Sequence, residues 1–278
     1  MTTKVDLAVP CSYWQSSDWW RNVMVELLNE QKHGNVDISC VRTSSIALPD
    51  EGKNDLIDMT RHSKTDTNRN ALVYPFLNDD SDWIMWLDDD TIPPPLFITR
   101  LLEAQQPFVA GIYHVNNKYY HPLAYYRMED GYYRPLVNYV LGELHQVDAV
   151  GMGCTLVHKD VYRKIFDEHE LFSRYDGTII PIHKDKIIQS DLTIEDNVVD
   201  GEVMKIKVKH VDKNEYKFPY YMMEYARTED FFFCELAEHV GYKPFIDTNV
   251  QCIHLKTKEI SYEDYRLATM KTGAEETE

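Results

Sequence analysis

Residues 82–91 read DWIMWLDDDT, and no other stretch limits the possible folds of this chain so strongly. Residues 83–87 are five apolar side chains in a row, the length of a strand buried on both faces. The run stops at three adjacent carboxylates, Asp88, Asp89 and Asp90. Acids placed at the mouth of a buried strand repel one another and lose solvation, which destabilises the fold unless a cation compensates. Aspartate is a hard oxygen ligand, so the expected cation is Mg²⁺ or Mn²⁺, held by one or two carboxylates, with water and substrate phosphates completing its shell. Most acidic triplets are solvated loops. Directly after a buried strand the balance reverses, because open α/β sheets bind ligands at the carboxyl ends of their strands.

Strand and helix patterns alternate around this run. Residues 5–9 form a first strand, followed by the loop Pro10-Cys11-Ser12-Tyr13. Ser16 or Ser17 then caps a helix with Trp20, Val23, Met24, Leu27 and Leu28 on one face and Gly34 at its end. A second strand over 36–41 leads to Arg42. A helix over 66–74 carries Arg69 and Asn70 and breaks near Pro75. Pro93, Pro94 and Pro95 open a helix striped by Ile98, Leu101 and Leu102, and residues 108–113 form the next strand. This order predicts an α/β fold with a mostly parallel central sheet and helices on both faces.

Farther on, Glu129-Asp130-Gly131 signals a hairpin. Gly151 and Gly153 interrupt the apolar run 147–158, marking a close approach by a ligand or another backbone. A short helix covers 160–166. Residues 167–222 are charged, with few apolar anchors and one alternating strand over 204–209 after Asp200-Gly201, so they read as an insertion or lid that orders on ligand binding. Thr228 caps a helix with Phe232, Phe233, Leu236, Ala237 and Val240 inward and Gly241 closing it. Strand segments at 245–246 and 250–253 end at His254, and residues 258–278 form an acidic tail.

The 278 residues are 44% hydrophobic, enough for one substantial core. A net charge of −17 opposes a broad positive face for nucleic acid or anionic membrane. Cysteines at 11, 40, 154, 234 and 252 are odd in number and lack CxxC spacing, so they read as reduced thiols. No signal-peptide core opens the chain, and no apolar run reaches the roughly 18 residues of a membrane span, so a cytoplasmic protein is expected.

Four segments in order resemble the GT-A fold glycosyltransferases of the family-2-like group common in bacteria and their viruses. They are Asn68-Arg69-Asn70-Ala71-Leu72, WLDDDTIPP, Gly151-Met152-Gly153-Cys154, and Thr228-Glu229-Asp230 through His254. The resemblance implies one domain over 1–257 that moves a sugar from a nucleoside diphosphate donor, such as a UDP-sugar, to an acceptor hydroxyl. It implies a metal shell in which Asp90 binds directly, Asp88 and Asp89 hold ribose or a metal-bound water, and His254 completes the set. Pro10, Cys11, Tyr13, Arg42, Arg69 and Asn70 would line the nucleotide, with Arg69 on a phosphate. Asp230 would be the general base, with Glu229 orienting it, and the transfer would invert the anomeric carbon. Two other readings fit the sequence. One is a viral enzyme that glycosylates hydroxymethylated DNA bases along Lys184, Lys186, Lys205, Lys207 and Lys209. The other is a non-catalytic carbohydrate-binding module stacking sugars on some of its 19 tyrosines.

Overall fold

The computed structural model describes residues 2–10, 17–34, 36–44, 65–115, 120–187, 192–199, 202–224 and 227–255. Cys11, Tyr13, the Asp200-Gly201 turn and the tail from 256 lie outside the described residues. The first half of the chain contributes β1 (Thr3–Pro10), α1 (Ser17–His33), β2 (Val36–Ser44), α2 (Thr65–Asn78), β3 (Trp83–Leu87), β4 (Thr91–Ile92), α3 (Phe97–Glu103) and β5 (Phe108–Ile112). A hairpin of β6 (Ala124–Arg127) and β7 (Tyr133–Pro135) follows, then β8 (Leu144–Gln146), β9 (Ala149–Val150), β10 (Cys154–His158) and α4 (Lys159–Glu168). The last part holds β11 (His169–Ser173), β12 (Ile179–His183), β13 (Leu192–Val199), β14 (Glu202–Val211), α5 (Glu229–His239), β15 (Phe245–Gln251) and β16 (Ile253–His254).

Seven strands form the central sheet in the order β2-β1-β3-β10-β5-β15-β8. β1 runs parallel to β2 and β3, and β15 parallel to β5. β10 is antiparallel to both β3 and β5, and β8 is antiparallel to β15. Five strands therefore share one direction, and the sheet is mostly parallel, as the strand–helix alternation requires. Side chains of β3 alternate between two buried clusters. Ile84 and Trp86 pack with α2, α4 and α5, while Met85 and Leu87 pack with α1 and α3. Helices cover both faces, which is why the WIMWL run is apolar throughout instead of alternating.

Three local expectations need correction. The buried stripe of α1 includes Val23 and Leu27, as expected, together with Trp19, whereas Met24 and Leu28 are exposed; the Trp20 side chain lies outside the described residues. α2 continues through Pro75 to Asn78, because Phe76 and Leu77 pack against the core and outweigh the lost hydrogen bond and ring clash. The prolines do not open α3. It starts at Phe97 after Leu96, which adopts φ 55°, and its first amides are capped by the Glu30 side chain from α1. Glu30 accepts from the amides of Ile98 (2.6 Å) and Thr99 (3.2 Å) and from the Thr99 hydroxyl (2.6 Å).

Residues 167–222 also hold more core than expected. Their four-stranded sheet, order β12-β11-β14-β13, buries Leu171, Phe172, Ile180, Ile182 and Val208, and the return segment buries Phe218, Tyr220, Tyr221 and Met222. All nine join the cluster beneath α2, α4 and α5. The strand members fall singly or in pairs, while Phe218, Tyr220, Tyr221 and Met222 sit together in the apolar run 218–223 at the end of the charged stretch.

Glu30 is fully buried, and burial raises its pKa while the Thr99 and Ile98 donors oppose the rise. Replacing it with alanine orphans three donors next to the site. We expect Glu30→Ala to destabilise the protein by about 2–3 kcal/mol, and Glu30→Gln, which keeps one acceptor oxygen, by about 1 kcal/mol. Urea denaturation measures both; a loss below about 0.5 kcal/mol for alanine would contradict the capping role.

Candidate active site

The carboxyl end of β3 turns sharply at the three acids. The Asp88 amide donates to the Gly153 carbonyl (3.0 Å) and the Thr91 amide to the Asp88 carbonyl (3.0 Å), which places Asp89 and Asp90 at the tip of a β-turn. The turn is tied down from three sides. Trp19 Nε1 donates to the Thr91 carbonyl (2.8 Å), β4 pairs antiparallel with β16, and the Leu255 amide donates to the Asp90 carbonyl (2.7 Å). The β16 pairing carries His254 to the turn, 3.2 Å from Nε2 to Asp90 Oδ2.

The hydrogen bonding of His254 decides what that contact means. Its Nδ1 lies 2.8 Å from the His114 carbonyl, which can only accept, so Nδ1 carries the proton. In the neutral ring, Nε2 then directs a lone pair toward a carboxylate oxygen. Two electron-pair donors side by side are favourable when a cation sits against both, or when the ring takes a second proton. A carboxylate oxygen and a neutral imidazole whose far nitrogen is held by a carbonyl suit Mn²⁺. Among the described residues, no three His, Cys, Asp or Glu side chains group closely enough to hold an ion alone.

Beside the turn lies a buried guanidinium. Arg69 is 1% exposed, and its Nη2 donates to Asp88 Oδ1 (3.0 Å) and Oδ2 (3.3 Å). Its Nε lies 3.5 Å from Glu229 Oε1 and 3.6 Å from Asp230 Oδ1. Burial disfavours the charge on Arg69, but Asp88, Asp230 and Glu229 outweigh it and raise its pKa further. The Trp86 ring lies 5.4 Å from the guanidinium carbon and forms its apolar floor. Thr228 occupies the N-cap position of α5, as expected, but makes no side-chain cap bond; Glu229 and Asp230 fill the first turn.

Asp230 is held by the Met152 amide and Arg69. Burial pushes its carboxyl up to about 8; Arg69 and the Met152 amide oppose the rise, while Glu229 and Asp88 add to it. One fifth of the side chain remains exposed, while Oδ1 is buried.

The two glycines explain how these parts fit. A Cβ on Gly151 would lie 2.3 Å from the Tyr113 hydroxyl, and one on Gly153 would lie 2.7 Å from it. The close approach expected there is made by the Tyr113 side chain, whose hydroxyl accepts from the Gly153 amide (2.8 Å) and whose ring packs edge-on against His254. Tyr113, Trp19 and the His114 carbonyl were not read as site groups from the sequence. The paired glycines were the only signal that a bulky group must enter there.

Other predicted residues take different places. Asn70 donates to the Tyr221 carbonyl (2.6 Å) and accepts from its amide (3.1 Å), clamping the returning segment rather than facing the turn. Arg42 pairs with Asp6 and Asp79. Pro10 ends β1 opposite Ser44. Lys184 approaches Glu170 (3.9 Å) and Lys186 meets His239 (3.0 Å), while Lys207 and Lys209 are exposed on β14. A cavity of about 680 Å³ lies against Thr228, Phe231, Phe232, Glu235 and His239, a helix face opposite Asp230.

No protein-family model matches the chain, and no curated protein matches it. Its fold is similar to that of A197 from STIV, with 13% identity over 92% of this chain and 87% of that one and a TM-score of 0.49. It is also similar to GalNAc-T7 with UDP, GalNAc and Mn²⁺, with 8% identity, 93% and 44% coverage and a TM-score of 0.42. A third likeness is to a glycosyltransferase involved in the glycosylation of the major capsid of PBCV-1, with 12% identity, 58% and 62% coverage and a TM-score of 0.30. These likenesses say nothing of substrate or chemistry.

Arg69→Met leaves three carboxylates facing one another without their cation, at a cost of about 3–5 kcal/mol. The sign with pH follows from Asp230. Its folded pKa lies above the unfolded value, so native-state protonation stabilises most at low pH, and that stability is lost as pH rises toward 8. Loss of Arg69 raises the pKa further, so the deficit should be larger at pH 8 than at pH 5. Equal deficits in urea titrations at the two pH values would contradict this electrostatic role.

Proposed function

We propose that the protein is a metal-dependent, inverting glycosyltransferase of the GT-A type, using a nucleoside diphosphate sugar and an acceptor hydroxyl. The observation that carries this reading is the apposition of Asp90 Oδ2 and His254 Nε2 beside a buried Arg69–Asp88–Asp230 cluster at the carboxyl end of the central strand. Asp90 and His254 would hold Mn²⁺ or Mg²⁺, with Asp88 and Asp89 reaching it through water or taking the donor ribose. Such an ion supplies charge stabilisation to a departing diphosphate.

The chain's own residues supply the rest. The turn of Asp88, Asp89 and Asp90 presents anionic oxygens at the end of β3, where nucleotides bind in open α/β sheets. Pro10, the last residue of the neighbouring parallel strand β1, would form the next wall of the nucleotide site together with Cys11 and Tyr13. Arg69 orients Asp88 and Asp230 together and keeps their charges tolerable. Asp230 has a raised pKa suited to taking a proton from an acceptor hydroxyl near neutral pH, with Glu229 meeting the same Nε of Arg69 beside it. A base that deprotonates the acceptor opposite the leaving group gives single displacement and inversion.

Turnover across UDP-, GDP- and TDP-sugars with Mn²⁺, with and without chelator, tests the reading; no donor consumption with any of them would refute it. Asp230→Asn should slow transfer by about a hundredfold or more while donor affinity barely changes. The wild-type rate should climb with pH as Asp230 ionises, and the variant should lose that limb. A product with retained anomeric configuration would exclude the single-displacement mechanism.

A further inference from the structure

The cavity of about 680 Å³ belongs to a different surface from the acidic turn and has its own chemistry. One wall comes from β12 and the turn after it, with Ile180, Ile182, His183 and Lys186; the opposite wall comes from the hairpin tip at Tyr132 and Tyr133, and α5 forms the floor. Residues 167–222 thus build a wall that the central sheet alone would lack.

Three features limit what can bind there. The first is an aromatic platform. Phe231 is wedged between Tyr125 (5.0 Å) and Tyr133 (4.6 Å), which fixes its ring, and Tyr132 stands 70% exposed at the rim. The second is a ladder of paired charges. Arg174 donates to Glu224 (2.9 Å), Arg227 bridges Glu224 and Glu235, and the Tyr133 hydroxyl donates to Glu235 (3.0 Å). Two guanidiniums and two carboxylates cancel in charge, yet they offer fixed donors and acceptors. The third is a single excess cation. Lys186 Nζ donates to His239 Nε2 (3.0 Å), and among the described contacts it meets no carboxylate. Burial, with help from Lys186, pushes His239 down to about 4, so the ring is a neutral acceptor and adds no charge.

A saccharide matches all three. Its C–H faces suit aromatic rings, whose negative faces attract such positive edges, and its hydroxyls suit a charge-paired ladder of fixed donors and acceptors. Nucleic acid does not match, since it binds rows of uncompensated cations, and here both arginines are neutralised. We propose that this groove is a carbohydrate-binding site, separate from the transfer site, for a saccharide carrying one anionic group at the Lys186 end. The anion is a carboxylate or a phosphate; both place negative oxygens against one ammonium.

The full-length protein should be tested on an array of matched neutral, uronate-bearing and phosphate-bearing glycans. Acidic glycans should be retained over their neutral counterparts, and the two acidic sets identify the anion. Lys186→Met should weaken acidic glycans by about tenfold, the scale of one charged hydrogen bond, and leave neutral ones unchanged. Tyr132→Ala should weaken both, and each residue is exposed enough to replace without unfolding. Asp90→Asn should retain glycans normally, so failure of the transferase reading and failure of this one are distinguishable. No retained glycan, equal retention of neutral and acidic forms, indifference to both variants, or preference for acidic peptides would each overturn the proposal.

Discussion

A single buried cation determines how the cleft is assembled. Arg69 has almost no access to water, and an unpaired guanidinium in that position would cost several kcal/mol. Its compensation comes from parts of the chain far apart in sequence, Asp88 at the end of β3 and Glu229 and Asp230 at the start of α5. The fold is therefore committed to bringing α2, β3 and α5 to one point. Three carboxylates against one guanidinium leave negative charge in excess, and Asp89 and Asp90 add to it.

The surroundings convert this charge cluster into fixed geometry. Trp86 donates to the Tyr162 hydroxyl (2.9 Å), which in turn lies 2.8 Å from the Tyr221 hydroxyl, and Tyr221 stacks on Phe233. This buried network lies next to the guanidinium and joins β3, α4, α5 and the return from residues 167–222. On the other face, Glu30 caps α3 and Trp19 holds the Thr91 carbonyl, so α1 supports the turn from the side opposite Arg69. Side chains held this way lose little freedom when a ligand arrives, which favours affinity and positioning over adaptability.

Much of the scaffold was legible because it follows periodicity. A five-residue apolar run, alternating strand and helix patterns and a glycine-bearing hairpin turn are local signals, and the observed sheet follows them. Asp90 and His254, 164 residues apart, were paired through resemblance to a known family, not through any local signal. The details that escaped detection are long-range. Nothing near Glu30 says that its carboxylate caps a helix 68 residues later. Nothing local marks Trp19 as the residue whose ring reaches the Thr91 carbonyl 72 residues away. Asn70 reads equally well as a ligand contact or a backbone clamp, because an amide serves both. Leu171 and Phe172 sit in charged surroundings, and nothing in a local window says that they share one core with Ile180, Phe218 and Tyr221.

The central claim is that Asp90 and His254 face each other across a cation position. Electron paramagnetic resonance titration of Mn²⁺ in the presence of UDP tests it without relying on turnover. The account predicts one bound Mn²⁺ in the wild-type protein, with His254→Ala and Asp90→Asn each weakening it by at least about tenfold. Wild-type affinity in both variants would contradict it and leave His254 as a residue that merely closes the β4–β16 pairing.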